Sequence, residues 1–182
     1  GIEGFRDLLN LDLSGNNLSF VDLSKNKVLR NVNLSGNQFK SIDLTKNIEL
    51  ESLKIDNNYL TELDVSKNVE LSTLQVDENN LNEIDVSNNI GLGYLTLINN
   101  SLTKIDVKNN LKLSNLRLDR NEISEIDVKK NINLKRLSLS YNNISSIDIS
   151  KNKILEILNL NFNKLSKINV YLNINLNSLR VS

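Results

Sequence analysis

Every 21 residues the chain returns to one pattern of apolar and polar positions, L-x-x-L-x-L-x-x-N-x-L-x-x-I-D-V-S-K-N-I-x. Aligned from Leu8, the pattern gives eight complete repeats over 8–175 and a truncated ninth over 176–182, with 1–7 as the remnant of a lead-in. Leucine opens each repeat, from Leu8 and Leu29 through Leu155 and Leu176, with no insertion or deletion between them. Strict self-similarity at this period predicts a stack of coils, one per repeat. Two stretches in each period alternate, L-x-L as in Leu116-Arg117-Leu118 and I-D-V as in Ile126-Asp127-Val128. Alternation turns the outer two residues inward and the middle one outward, so each coil is expected to supply two short strands. The expected fold is a repeat solenoid with two parallel β-sheets around an aliphatic core, and little or no helix. With both sides advancing at the strand spacing of about 4.8 Å, it should be weakly curved and roughly 40 Å long.

Two asparagine columns never vary: Asn16, Asn37 and Asn58 through Asn163, and Asn26, Asn47 and Asn68 through Asn173. They fall at corners, where the backbone leaves a strand and loses its ladder partners. A buried carboxamide both donates and accepts, so it can satisfy the backbone of its own and the adjacent coil. Stacked carboxamides are also expected to bond one another. A single coil cannot fold alone. Its seven or so aliphatic side chains contribute roughly 1.5–3 kcal/mol each, against about 1–2 kcal/mol of backbone entropy for every residue ordered. Stacking must supply the difference, and terminal coils normally need caps. None is visible, so the natural protein is expected to continue at one or both ends, or its open edges to pair end to end.

The first half of the period, L-x-x-L-x-L-x-x-N-x-L, resembles the leucine-rich repeat signature, and L-x-x-I-D-V-S-K-N resembles a shortened copy nested within it. The whole is similar to the nested 21-residue (IRREKO-type) class of bacterial leucine-rich repeats, with internalins as broader relatives, over Leu8 to Ser182. That resemblance implies a right-handed coil in a secreted or surface protein that binds other molecules, without implying one ligand.

An aspartate recurs at Asp22, Asp43, Asp64, Asp85, Asp106, Asp127 and Asp148. In stacked coils these carboxylates form a row, repelling by about 0.8 kcal/mol per neighbouring pair in bulk water. Lysines two or three residues on, and Ser24, Ser66, Ser87 and Ser150, stand ready to compensate. A calcium ladder is the functional alternative, but calcium takes six to eight oxygens and no glycine-rich nonapeptide accompanies the aspartates. Asn169 drops the charge in the last copy, which favours a hydrogen-bonding role and a scaffold reading.

Composition narrows the chemistry. The 22 basic and 22 acidic residues cancel, leaving no basic footprint for nucleic acid. Without histidine or cysteine, Ser-His-Asp and Cys-His catalysis and nitrogen or sulfur zinc sites are excluded. No cofactor or metal is expected. No run of 18 apolar residues is long enough to span a membrane. The chain does not begin with methionine and opens on no signal-peptide pattern, so an excised segment or processed product is expected.

In a repeat protein, uniform columns build scaffold and variable ones are free to recognise. The outward positions around L-x-L vary most. They begin small and neutral (Asn10, Ser14, Asn31, Asn33), and turn acidic at Asp56, Asp77 and Glu78 around Lys54. Tyr94, Ile98, Arg117, Arg120, Arg136, Tyr141, Ile157 and Phe162 then follow. Aromatics with arginine are enriched at binding hot spots, so these eight are the candidate ligand-binding residues; scattered surface aliphatics or cover for the core are the plainer account. The expected function is non-catalytic recognition of a protein or glycan at the cell surface or outside the cell, without nucleic acid as partner. A spacer solenoid is one alternative. A carboxylate-based carbohydrate-active enzyme using Asp77 with Glu78 or Asp119 is another.

Overall fold

The computed structural model describes all 182 residues. After a single 3-10 turn at Ile2–Gly4, the only regular elements are nine three-residue strands. They are β1 (Asn10–Asp12), β2 (Asn31–Asn33), β3 (Ser52–Lys54), β4 (Thr73–Gln75), β5 (Tyr94–Thr96), β6 (Asn115–Arg117), β7 (Arg136–Ser138), β8 (Ile157–Asn159) and β9 (Ser178–Arg180). These nine form one parallel sheet in chain order. Register advances by one period at each step, Asn10 pairing with Asn31 and Tyr94 with Asn115. The centre of each strand from β1 to β8 is a buried leucine or valine, and 37 apolar residues form one continuous core. No helix is long and apolar enough to cross a membrane.

The L-x-L stretches therefore behave as the pattern requires, while I-D-V does not. No second sheet forms. At each I-D-V corner the aspartate Oδ1 accepts the backbone N–H two residues on: Ser24 to Asp22 at 2.9 Å, Ser66 to Asp64 at 2.8 Å, Lys108 to Asp106 at 3.0 Å. A side chain that captures its own local amide offers the backbone an alternative to a ladder. Asn169 makes the same bond from Tyr171 N at 3.0 Å, so the position keeps its acceptor when it loses its charge. Donation from the residue two places on holds the carboxyls of Asp22, Asp43, Asp64, Asp85, Asp106 and Asp148 below the usual aspartate range. Its side chain contributes most at Asp64, Asp85 and Asp106, and its N–H at Asp22, Asp43 and Asp148. The lysines three residues on do not close ion pairs with these aspartates. Instead Lys108 meets Asp106 at 2.6 Å and Lys129 reaches Asp148 in the next coil at 3.4 Å. No three carboxylates gather into a group able to hold a metal ion.

On that side the coils are joined by asparagine. Asn89 donates through Nδ2 to Val65 O at 3.0 Å and Asn68 O at 2.8 Å, and Asn47, Asn68, Asn110, Asn131, Asn152 and Asn173 repeat the arrangement. Both donors are used, and the buried Oδ1 of this column finds no donor. The column behind the sheet is better satisfied. Asn79 donates to Ile55 O in the preceding coil at 3.0 Å and to Asp77 O at 3.1 Å, and accepts Leu60 N–H at 3.0 Å. In neither column do carboxamides bond one another, contrary to expectation: every bond they make is to backbone.

The two columns should therefore differ in energy. Asn79→Ala strands carbonyls and an N–H together and should cost roughly 3–4 kcal/mol, whereas Asn89→Ala strands carbonyls alone and should cost roughly 2 kcal/mol. Urea unfolding of the two variants checks the order. Equal losses would contradict it.

Candidate binding surface

The open face of the sheet is built from the first and third residue of each strand, and β5 to β8 bring four of the eight predicted residues onto it. Tyr94, Arg136 and Ile157 occupy one column, with Asn115 between Tyr94 and Arg136. Arg117 closes β6 in the neighbouring column, and all four are half-buried. Ile98 lies just beyond β5 in a column it shares with Asp56, Asp77 and Asp119, also half-buried.

Arg120, Tyr141 and Phe162 come together differently. Each is the second residue after its L-x-L stretch and adopts a left-handed backbone, with φ of 56°, 55° and 55°. The same column starts with Gly15 and Gly36, at φ 68° and 67°, and continues through Asn57, Glu78 and Asn99. Glycine enters this region freely, whereas a side chain with a Cβ pays about 1–2 kcal/mol there. A fold-only column would keep glycine or asparagine throughout. Instead two bulky rings stand in successive coils, their centroids 4.3 Å apart and planes 19° from parallel, with the Arg120 guanidinium 4.8 Å from the Tyr141 ring centre. The rings remain 44% and 54% exposed. The result is a cation–aromatic–aromatic stack on the rim of the sheet. Sequence reasoning picked its members but missed the shared conformation. The early glycines of the column were the available signal.

The acidic zone proves to be scaffold. Asp56 Oδ1 accepts Asp77 N–H at 2.8 Å, and Asp77 Oδ1 accepts Ile98 N–H at 2.7 Å. Asp119 is buried and accepts Ser138 Oγ at 2.6 Å, Ser140 N–H at 2.9 Å and the Ser140 hydroxyl. Burial pushes the carboxyls of Asp56 and Asp77 above the usual range, with their backbone hydrogen bonds pulling the other way. Asp77 and Asp119, which the enzyme alternative would use, are each tied to the backbone of the next coil, Asp77 to Ile98 and Asp119 to Ser140.

A hollow of about 410 Å³ lies over β1 to β3, lined by Asn10, Asp12, Asn31, Asn33, Ser52 and Lys54. Small polar side chains at this end leave the space. Two of the amides are already used, Asn31 on Asn10 at 2.7 Å and Asn33 on Asp12 at 3.2 Å.

Asp77 offers a test of the scaffold role. A carboxyl raised in the folded state adds stability that is complete below its unfolded pKa, near 3.9, and is lost as pH rises through the folded value. Asp77→Asn keeps the acceptor for Ile98 and removes the buried charge. It should be at least as stable as wild type at pH 7, with any advantage vanishing toward acid, as read by melting temperature across pH.

No protein-family model and no curated protein sequence matches the chain. Solved structures do. The functional domain of InlJ from Listeria monocytogenes, described as including a cysteine ladder, is 35% identical with a TM-score of 0.91, over 97% of this chain and 40% of that one. The leucine-rich repeat protein LIC12759 of Leptospira interrogans is 25% identical with a TM-score of 0.93, over all of this chain and 50% of that one. Internalin C2 of Listeria monocytogenes shares the fold at 20% identity and a TM-score of 0.80, over 99% of this chain and 84% of that one. This chain thus spans half or less of the first two, and where the InlJ domain has cysteines in a ladder it has no cysteine at all. Period, single parallel sheet, asparagine-joined coils and these likenesses converge: the chain is a leucine-rich repeat protein of the nested 21-residue class, internalin-like in its solenoid.

Proposed function

We propose that the chain is a non-catalytic recognition module of a larger secreted or surface bacterial protein, and that it binds a protein ligand. The contact centres on the rim stack of Arg120, Tyr141 and Phe162, with Tyr94, Ile98, Arg117, Arg136 and Ile157 extending it across the sheet. The observation that supports this most is the pair of large rings at left-handed backbone positions that the same chain elsewhere fills with glycine, asparagine, glutamate or arginine. Local strain kept at exposed side chains points toward a use for those side chains.

The geometry favours protein over glycan. A sugar platform needs open aromatic faces, whereas Tyr141 has Arg120 over one face and Phe162 stacked on the other. What the stack presents is ring edges and a guanidinium, which suit apolar and acidic side chains. The polar hollow over β1 to β3 supports a second reading, a small hydroxyl-rich ligand held by Asn10, Asp12 and Lys54.

A binding screen against protein and glycan arrays, with wild type and a Tyr141→Gly, Phe162→Gly variant, separates these readings. The variant should stay within about 1 kcal/mol of wild-type stability, since relieved backbone strain offsets the lost stacking. Its affinity for the ligand should fall by about 30-fold or more. A ligand held equally by both variants would move the site off the rim.

A further inference from the structure

A second surface lies on the corner that leads into each strand. The residue after the second asparagine is aliphatic in five successive coils, Ile48, Val69, Ile90, Leu111 and Ile132, and each is between 46% and 63% exposed. Scattered exposed aliphatics are ordinary, but five in one file are not. The file is regular because the backbone ladder already runs beside it: Ser72 N–H donates to Glu51 O, Gly93 to Ser72 O and Ser114 to Gly93 O, each at 2.9 Å. Lys27 and Lys153 hold the same position in the coils at either end.

The charges beside this rail are arranged about its middle residue. In the next column, Glu70 and Lys112 stand one coil either side of Gly91. Two residues further, Ser72 and Ser114 flank Gly93, then Glu51 opposes Lys135, and Arg30 opposes Glu156. Glu51, Glu70 and Glu156 thus each have a basic counterpart at the same distance across the centre, and Glu49 is opposed by the neutral Asn133. Glu70, Lys112, Lys135 and Glu156 make no ion pair within the chain, whereas Arg30 and Glu51 are joined at 2.9 Å, with Glu49 3.9 Å from Arg30. Gly91 has a local reason to be glycine, since a Cβ there would lie 3.2 Å from Leu71 O. Gly93 has none: its φ is not left-handed and a Cβ would meet nothing closer than 3.7 Å. Its smallness fits a close approach from outside.

We infer that this rail binds a second copy of the chain, with the two solenoid axes antiparallel and the two-fold passing through Ile90 and Gly93. A two-fold in the plane of contact lays each column on itself in reverse order. Ile90 then meets Ile90 of the second copy, and Val69 meets Leu111. Glu70 meets Lys112, Glu51 meets Lys135, and Arg30 meets Glu156, each pairing occurring twice. Parallel axes would instead set Glu70 on Glu70 and Lys112 on Lys112. In this register Lys27 meets only Lys153, at the two exposed ends of the contact, whereas a slip of one coil would press Lys153 onto Ile48. The lysines two residues before the rail, such as Lys46 and Lys130, would face like charge and mark the edge of the contact. Six coil steps give a rail of roughly 30 Å, and the total buried area is on the order of 900 Å², small for a specific interface. The dimer is therefore weak, with Kd on the order of 10–100 μM.

The test is sedimentation of the 182-residue chain from about 5 to about 500 μM, bracketing that range. Wild type should pass from monomer to dimer, and Ile90→Glu should remain monomeric. Glu70→Lys and Lys112→Glu should each remain monomeric alone, because each sets two like-charged pairs across the two-fold. Mixed in equal amounts they should dimerise, since every one of those pairs becomes complementary. All three side chains are at the surface, and a matching melting curve for each variant shows that the fold is kept. A wild type that stays monomeric throughout overturns the proposal. So does association that ignores the charge changes, as end-to-end pairing would, or a mixture that fails to recover the dimer.

Discussion

The structure depends on how buried backbone groups at the corners of each coil find partners. A parallel sheet satisfies one side of a coil. The other side turns too sharply for a ladder, and its amides and carbonyls must be met by side chains or remain costly. Asparagine meets them because one short carboxamide reaches the carbonyls of two coils at once, as Asn89 does with Val65 and Asn68. The aspartate of I-D-V completes the arrangement by taking the N–H two residues on. The carboxamides join coil to coil, and the aspartates secure the turn within each coil. The invariance of the asparagine columns is the sequence trace of that requirement.

With the frame held by invariant columns, the remaining positions are free to vary, and three distinct surfaces result. The open sheet carries mixed polar and aromatic residues over its later strands. Its rim presents the stack of Arg120, Tyr141 and Phe162 on strained backbone. The opposite corner presents the aliphatic rail. A tyrosine or phenylalanine at positive φ lowers stability, yet the solenoid tolerates it because each coil is secured by its own carboxamides and by its neighbours. Large coil-to-coil redundancy makes room for locally unfavourable residues where they are useful.

Much of the fold was legible in the period. The L-x-L strands, their 21-residue register, the aliphatic core and the near absence of helix all follow from alternation and repetition. The second sheet misled because I-D-V has the alternation of a strand, while the physics at that point is decided by the aspartate oxygen that accepts the amide two residues on. Period-two patterning reports which side chains are buried, not where the amides go. The candidate site was legible residue by residue, but its geometry was not. Arg120, Tyr141 and Phe162 lie 21 residues apart and meet only because register is strict. Their conformation could have been read from Gly15 and Gly36 in the same column.

The most direct test of this account is amide hydrogen exchange by NMR, comparing the two sides of the same coils. The amides of Leu97 and Leu118, bonded to Arg117 O and Ser138 O, should exchange only on global unfolding. The amides of Asp85 and Asp106, at corners held by side chains and not by a ladder, should exchange orders of magnitude faster in the folded protein. Equal protection on both sides would mean that a second sheet exists and that asparagine is not what joins the coils there.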